Sequence, residues 1–327
     1  MSERWVMGVD IGGTNIVVGM VPEGGGVPER LRVRATRSMA GPDDAVRHIV
    51  RLGREVVGEV AEASGGPVEV TGAGVGCPGP VDREAGMVLD AFNLGWKAFP
   101  LRDRLQEALE LPVILENDAN CAAWGEWWQG AGRPFRSMVG VTLGTGIGGA
   151  LVVDGELVRG ASGTAGELGH MSIAFGGRRC PCGSYGCLEA YASGPNIAAR
   201  AREGLEAGTA SVLLELVEGD RERITALTVY EALVQGDAYA REVMTETAKI
   251  LGAGIANVIN LLNPEAVIIV GGVTRAGEHL FDPLRAEVRR RAFRRAEEAC
   301  RILPGALPDR AGVAGAAGLF LRSREGR

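Results

Sequence analysis

The sequence predicts an α/β protein with two domains. The chain has 327 residues, whereas one domain usually contains about 100 to 200. Predicted strands and helices alternate in both halves, which is typical of α/β proteins. Two segments, residues 4–25 and 138–160, both read as strand, glycine turn and strand, which suggests an internal duplication. We predict a smaller domain at residues 1–118 plus 311–327 and a larger one at 119–310.

Composition limits the class of partner. The net charge is -6 and apolar residues make up 46% of the chain, which favours a well-filled core and disfavours nucleic acid or an anionic membrane as a partner. The sequence shows no signal-peptide pattern and no run of about 20 apolar residues. We therefore expect a soluble cytoplasmic protein with no nucleic-acid and no membrane partner.

The first half begins with the strand–turn–strand segment that contains "DIGGTN". Residues 43–63 carry apolar side chains at helical spacing and predict a helix. Residues 69–82 predict a strand that ends in a Pro/Gly turn. Residues 111–132 predict a short buried strand, a turn at 117–120 and a helix that glycines stop.

The second half continues the alternation. After the second strand–turn–strand segment, residues 237–265 predict a long helix that ends at Asn263–Pro264. Residues 266–273 predict a buried strand that runs into a glycine pair, and residues 277–293 predict another helix. Residues 311–323 predict a short apolar helix.

The first glycine turn is a candidate phosphate site. Gly12 and Gly13 allow a ligand to approach the backbone, whose N–H groups can cradle phosphate oxygens. Thr14 adds a hydroxyl donor, and Asp10 can reach a hydrated Mg²⁺ ion. An ordinary glycine hairpin without a ligand is the alternative.

The second glycine turn, residues 144–149, matches G-x-G-x-x-G. That motif binds dinucleotides only where it opens a helix. Residues 150–158 predict a strand instead, so we reject a dinucleotide site. Two glycine hairpins together with the strand-linked pair Gly271–Gly272 resemble the ATP site of the actin-like ATPase superfamily, in which the hairpins bind phosphates and the third segment lies against adenosine.

Asp118, in "ENDAN", is a candidate general base. A kinase must remove a proton from the attacking hydroxyl, and a positioned carboxylate can do so. The alternative is a helix N-cap, since Asn and Asp are favoured there. Both roles are compatible if one of Asn117 and Asp118 caps the helix and the other faces the ligand.

Three cysteines lie within eight residues, at Cys180, Cys182 and Cys187. A tetrahedral structural Zn²⁺ needs a fourth ligand, commonly a histidine. The chain has three histidines, and His170 lies ten residues before the first cysteine. We predict that these four residues bind zinc. Free thiols in a tight loop, or a redox site without the usual C-x-x-C frame, are the alternatives.

These motifs resemble the ROK family of bacterial sugar kinases and regulators. The resemblance rests on "GELGH" and "CPCGSYGCLE" and extends over "DIGGTN", "GCPGPVD", "NLGW", "ENDAN", "LGTGIGGA" and "YASGP". It implies a two-domain actin-like ATPase fold, related to ribonuclease H, with ATP and sugar in the cleft between the domains. It also implies a homodimer or homotetramer, ATP with catalytic Mg²⁺, and a structural Zn²⁺.

The resemblance also implies roles for individual residues. Asp118 would be the general base on the sugar 6-hydroxyl. The implied sugar-binding residues are Gly79, Asn93, Asn117, Asp118, Glu167, His170 and Glu189, and the implied zinc ligands are His170, Cys180, Cys182 and Cys187. The implied ATP-binding residues are Asp10, Gly12, Gly13, Thr14, Asn15, Gly144, Thr145, Gly146, Gly194, Gly271 and Gly272.

Two classes of function follow from the resemblance. One is an ATP-dependent hexose kinase, with glucose as the first candidate and N-acetylmannosamine, N-acetylglucosamine, fructose or allose as alternatives. Polyphosphate is an alternative phosphoryl donor. The other class is a sugar-responsive repressor, which we disfavour because "DIGGTN" begins at residue 10 and leaves no room for a helix-turn-helix segment.

Overall fold

The structure is a computed structural model that describes residues 3–36 and 39–325. Its contacts divide the chain into two compact units. The first consists of Met1–Arg136, Ala150–Ala165 and Gly305–Arg327, and the second of Ser137–Gly149 and Gly166–Pro304. These bounds differ from the predicted domains, because residues 119–136, 150–165 and 305–310 fall in the first unit.

The described residues form the following elements. The strands are β1 (Arg4–Ile11), β2 (Asn15–Pro22), β3 (Glu29–Ala35), β4 (Glu69–Cys77), β5 (Val81–Asp82), β6 (Met87–Ala91), β7 (Trp96–Phe99), β8 (Val113–Asn117), β9 (Met138–Leu143), β10 (Ile147–Val153), β11 (Glu156–Val158), β12 (Ala266–Val270) and β13 (Arg301–Pro304). The helices are α1 (Pro42–Ala63), α2 (Leu101–Leu109), α3 (Asp118–Gln129), α4 (Glu189–Ala192), α5 (Gly194–Glu206), α6 (Leu213–Leu216), α7 (Ala226–Val234), α8 (Ala238–Leu262), α9 (Glu278–Arg291), α10 (Arg294–Ala299) and α11 (Ala311–Glu325).

The main sheet of the first unit has the strand order β3-β2-β1-β4-β8. Strands β1, β2 and β3 are antiparallel, whereas β1, β4 and β8 are parallel. The predicted strand–turn–strand segment is therefore a hairpin, in which Asp10 pairs with Val17. The parallel order places the carboxyl ends of β1, β4 and β8 at one edge, where ligands of α/β proteins usually bind.

Both faces of β1 are buried because its side chains alternate between two layers. Trp5, Met7 and Val9 belong to the core cluster that includes the apolar face of α1. Val6 belongs to a second cluster with Phe320 of α11. The strand is consequently apolar nearly throughout, as expected for a strand that is covered on both sides.

Glycines allow α11 to pack directly on the sheet and on α3. A Cβ at Gly8 of β1 or at Gly74 of β4 would overlap backbone atoms of α11. A Cβ at Gly315 of α11 would overlap the Cys121 carbonyl of α3. This close packing explains why "AGVAGAAGLF" consists largely of small residues, and it keeps α3 in the first unit.

In the second unit β12 pairs in parallel with β9 and with β13. These strands belong to a sheet of order β11-β10-β9-β12-β13. The predicted long helix is α8, which Asp237 caps by accepting a hydrogen bond from Ala240 N. It ends at Asn263, whose φ of 45° is left-handed, and Pro264 follows, as predicted.

The other predicted elements are also present. Helices α1, α3, α9 and α11 and strands β4, β8 and β12 lie where the sequence predicts them. The turn predicted at 117–120 is instead the end of β8 followed at once by the first turn of α3. Across the described residues, every helix is too short or too polar to cross a lipid bilayer.

Candidate active site and metal centre

The first glycine turn, between β1 and β2, is held by its own backbone and by Thr36. Gly12 N donates to Asn15 O at 2.8 Å, and Thr36 N donates to Thr14 O at 2.7 Å. The Thr36 hydroxyl donates to Gly12 O at 2.8 Å. A Cβ at Gly13 would lie 3.6 Å from Cβ of Asn93, so a predicted phosphate-binding residue and a predicted sugar-binding residue are neighbours.

Asp118 is the first residue of α3, at the carboxyl end of β8. Its Oδ1 accepts a hydrogen bond from Ala119 N at 2.8 Å. Asn117 is the N-cap, because its Oδ1 accepts from Asn120 N at 3.1 Å. Asn117 Nδ2 donates to the Gly79 carbonyl at 3.2 Å. The structure thus brings together three predicted sugar-site residues and assigns the cap to Asn117.

Asp10 lies at the end of β1 and is partly buried. Its pKa is raised from 3.8 to about 7, first because burial withdraws the carboxylate from water and then because of the charge of Asp118. A Cβ at Gly312 would overlap the Asp10 carboxylate, so only glycine fits beside it. Two predicted site carboxylates therefore interact electrostatically beside the first glycine turn.

An ionic cluster that the sequence analysis missed lies at the junction of β8 and α3 and is centred on a buried glutamate. Glu116, the residue before Asn117, is 2% exposed. Its Oε1 accepts from Asn117 N and from Asn120 Nδ2, both at 3.0 Å. Its Oε2 contacts Arg159 Nε at 2.8 Å and Arg83 Nε at 3.1 Å. A charged residue inside an otherwise apolar predicted strand was the available signal.

In the second unit the glycine turn between β9 and β10 lies beside the other predicted nucleotide residues. Gly194 N donates to Gly144 O at 2.8 Å. Gly271 has a φ of 109°, and a Cβ there would overlap the Leu143 carbonyl. Gly272 begins the short 3₁₀ turn that follows β12. The turn is followed by strand β10 rather than by a helix, as predicted, which agrees with the rejection of a dinucleotide site.

The tip of this second turn contacts the segment that follows the cysteines. Gly144 N donates to Gly146 O at 3.0 Å, which closes the turn around Thr145. Ile147 N donates to Oε2 of Glu189 at 2.7 Å. Glu189 was predicted as a sugar-binding residue, so a predicted sugar ligand touches the predicted phosphate turn.

His170, Cys180, Cys182 and Cys187 converge, with ligand atoms within 4.8 Å of one another. Cys182 Sγ and Cys187 Sγ are 3.8 Å apart, and so are Cys180 Sγ and His170 Nδ1. Tetrahedral Zn²⁺ with Zn–S bonds of about 2.3 Å places two sulfurs about 3.8 Å apart. The predicted four residues therefore fit a zinc ion, and no further ligand is needed.

Residues 167–189 carry the four candidate zinc ligands and are called the zinc-binding loop. They contain little regular secondary structure. Glu167 precedes a single 3₁₀ turn, Leu168–His170, and its carbonyl accepts from His170 N at 3.1 Å. Isolated bridges join Ser172 to Cys187 and Arg179 to Tyr185. Since Nδ1 of His170 is the ring nitrogen next to Cys180, the opposite nitrogen Nε2 is left for another partner.

Comparison with known proteins gives consistent matches. Residues 6–323 match the sequence profile of the ROK family. The chain is 38% identical to a glucokinase of Halalkalibacterium halodurans over 96% of this chain and 94% of that protein. It is 38% identical to a glucokinase of Thermotoga maritima over 98% of both chains. A crystal structure of a ROK family glucokinase from Streptomyces griseus, in complex with glucose and AMPPNP, superposes with a TM-score of 0.83 at 37% identity, covering 96% of this chain and 98% of that one.

Proposed function

The chain belongs to the ROK family, and from this premise we propose that it transfers the γ-phosphoryl group of ATP to the 6-hydroxyl of glucose, giving glucose 6-phosphate. Its two-domain α/β fold is the actin-like sugar kinase fold that the sequence predicts. Glucose is favoured over another hexose because the relatives that match over nearly their whole length are glucokinases.

The observation that carries the proposal is the group of residues at the carboxyl ends of β1 and β8. An amide at Asn117, a carboxylate at Asp118 and a glycine turn that can bind phosphate occur in one unit. Hydroxyl recognition needs such amides and carboxylates rather than an apolar pocket. A kinase needs this recognition together with a base and phosphate donors.

In the proposed reaction Asp118 accepts the proton of the glucose 6-hydroxyl as that oxygen attacks the γ-phosphorus, and ADP leaves. Asn117 holds a ring hydroxyl and keeps the base in place by capping α3. Asn93 and Gly79 complete this end of the sugar site. Mg²⁺, bound with ATP, neutralises phosphate charge, and Asp10 would reach it through water.

The remaining predicted residues divide between the two substrates. Phosphate oxygens would be bound by N–H groups of the two glycine turns, and adenosine would lie near Gly194, Gly271 and Gly272. Hydroxyls near the anomeric carbon would be bound by Glu167, His170 and Glu189. The fit of the four ligands supports a structural zinc ion, which holds the loop that carries these three residues and leaves no coordination place for water.

The test is an ADP-release assay with Mg-ATP against glucose, mannose, fructose, N-acetylglucosamine and N-acetylmannosamine. We expect the highest kcat/KM on glucose. A preference for another sugar would overturn the proposed substrate but not the proposed kinase activity. Polyphosphate in place of ATP tests the donor in the same assay.

No turnover on any sugar, in folded protein with zinc bound, would overturn the kinase proposal. A gel-shift assay with and without sugar then tests the repressor alternative. We further propose a homodimer or homotetramer, as the family resemblance implies, and a cytoplasmic location, as the sequence analysis expects. Light scattering of the purified chain measures the oligomeric state.

A further inference from the structure

The segment that follows the last zinc ligand is attached to the second glycine turn at both of its ends. At its start, Oε2 of Glu189 accepts the Ile147 N–H at 2.7 Å. At its end, Gly194 N donates to the Gly144 carbonyl at 2.8 Å. The four-residue turn 144–147 is thus fixed by residues 189–194 on both sides.

The contact at Glu189 is close and charged. A Cβ at Gly146 would lie 2.5 Å from Oε2, so the carboxylate rests directly against the turn, where glycine alone leaves room for it. A hydrogen bond to a carboxylate is stronger than one between neutral groups. Among residues 3–36 and 39–325, no side chain or backbone group donates to the other oxygen, Oε1.

The backbone of Glu189 is itself well anchored. It lies two residues after Cys187, and the intervening Leu188 is 3% exposed and donates its N–H to Met171 O at 2.9 Å. The Glu189 carbonyl accepts from Asn196 Nδ2 at 2.9 Å. The backbone that carries the carboxylate is therefore held in place, and the position of the carboxylate depends on that of the zinc-binding loop.

We propose that Glu189 is a positioning residue for the phosphate-binding turn, in addition to its proposed role in sugar binding. Oε2 holds the backbone of residues 144–147 in the conformation that receives the nucleotide phosphates, and Oε1 is left for a sugar hydroxyl. The zinc-binding loop thereby supports the nucleotide site as well as the sugar site. The inference rests on the proposed function, since it takes the turn to bind ATP.

The test measures binding of Mg-AMPPNP by calorimetry without any sugar, in the wild type and in Glu189→Ala, Glu189→Asp and Glu189→Gln. We expect affinity to fall by about 10-fold or more in Glu189→Ala, which is the effect of losing one charged hydrogen bond. Glu189→Asp should behave similarly because its carboxylate is withdrawn from Ile147. Glu189→Gln should retain nucleotide affinity, because its amide oxygen can accept the same N–H, but should lose glucose affinity.

The matched control is Glu203→Ala. Glu203 also lies next to the zinc-binding loop, where it pairs with Arg178 at 2.7 Å, but it has no contact with residues 144–147. All variants should keep one zinc per chain by metal analysis, and the control should bind nucleotide like the wild type. Wild-type nucleotide affinity in both Glu189→Ala and Glu189→Asp would overturn the proposal.

Hydrogen exchange separates this inference from the proposed function. The Ile147 amide should be protected in the wild type and in Glu189→Gln and should exchange faster in Glu189→Ala, whether or not any nucleotide binds. A wild type that binds no nucleotide contradicts the proposed function, whereas unchanged exchange at Ile147 contradicts the inference. A wild type that binds AMPPNP but phosphorylates no hexose contradicts only the proposed reaction.

Discussion

The turn that carries Asp118 and the loop that carries Glu167 and Glu189 have the same proposed task, which is to present polar groups to a sugar, but they are held in different ways. The turn is the junction of strand β8 and helix α3, so regular secondary structure fixes the backbone on both sides of it. The zinc-binding loop has one 3₁₀ turn and two isolated bridges.

The two regions also differ in how many apolar side chains are buried around them, with more around the turn than in the loop. Behind the turn, Val113 and Leu115 of β8 belong to the large core cluster of the first unit. The buried Glu116 forms ionic contacts with Arg83 and Arg159. The apolar cluster around the cysteines of the zinc-binding loop is small and consists of Cys180, Cys187 and Ala190, with Tyr191 packed against them. So small a core stabilises little. We infer from the comparison that the proposed zinc ion substitutes for a core in a loop that has little secondary structure.

The largest expected effect is on catalysis by Asp118, in a variant that leaves the structure of the turn unchanged. In Asp118→Asn the side chain keeps its size but cannot accept the proton, so kcat should fall by about 10² to 10⁴-fold, the usual weight of general-base catalysis. Glucose binding should change little because Asn117 and the α3 cap remain. The ADP-release assay measures kcat, and Asp82→Asn, at an exposed turn carboxylate of the same unit, is the control. Near-normal turnover in Asp118→Asn would remove this residue from the role of base.

The next effect concerns the scaffold of the turn. Glu116→Gln removes the charge that Arg83 and Arg159 share. Its amide N–H₂ must face either both arginines or the two donors Asn117 N and Asn120 Nδ2. Breaking a buried ion pair on one side costs about 3 to 5 kcal/mol. Because both arginines are partly exposed, we expect a loss of about 2 to 4 kcal/mol in the free energy of unfolding, measured by urea denaturation.

The control for that variant is an exposed pair in the same unit, between Arg322 and Glu156. Glu156→Gln should change the free energy of unfolding by less than about 1 kcal/mol. If Glu116→Gln costs no more than this control, the turn does not depend on the buried cluster. The contrast with the zinc-binding loop would then rest on secondary structure alone.

The strongest sequence signals for the candidate site are local ones. The spacing of three cysteines with His170 ten residues upstream was sufficient to predict the four converging ligands. Glycine turns between alternating apolar strands predicted both hairpins. General preferences predicted a helix cap at Asn117 or Asp118, and in the structure Asn117 is the cap.

Contacts between distant residues were beyond sequence reasoning. Glu116 meets Arg159 across 43 residues, and Glu189 meets Ile147 across 42, and no periodicity relates the partners. The difference in unit bounds has a similar cause. Helix α3 stays with the first unit because glycines of α3 and α11 allow their backbones to touch, which only the folded chain reveals.

A smaller effect is expected when the metal is removed from the zinc-binding loop. Cys182→Ala removes one ligand, so zinc content should fall below one per chain and glucose affinity should fall by about 10 to 100-fold, the range seen when metal-site support is lost. The loop contains little regular secondary structure, so far-ultraviolet circular dichroism should change little. Cys300→Ala, outside the cluster, should keep both zinc and affinity. A metal-free, fully active Cys182→Ala protein would contradict the proposal of a structural zinc ion.

The smallest expected effect measures the electrostatic cost of burying Asp10 and of placing it near the charge of Asp118. The folded-state pKa of Asp10 is raised to about 7 from an ordinary 3.8. Between about pH 4 and 7 the unfolded chain has released this proton and the folded chain has not, so this contribution to stability is lost as pH rises through about 7. Asp10→Asn lacks the penalty. It should be more stable than the wild type by about 1 to 2 kcal/mol at pH 8, less than the full shift would give because Asp10 is partly exposed.

The comparison variant for this prediction, Asp44→Asn, should change stability at pH 8 in the opposite direction. Asp44 accepts a hydrogen bond from Ala40 N, and its pKa is lowered, first by that bond. Its contribution is present above its ordinary pKa and is lost as pH falls, so Asp44→Asn should destabilise the protein at pH 8 and less so in acid. Urea denaturation of both variants at pH 5 and pH 8, without nucleotide or Mg²⁺, should therefore give differences from the wild type of opposite sign at pH 8. Equal stability of Asp10→Asn and wild type at both pH values would mean that the burial of Asp10 and its interaction with Asp118 have no electrostatic cost.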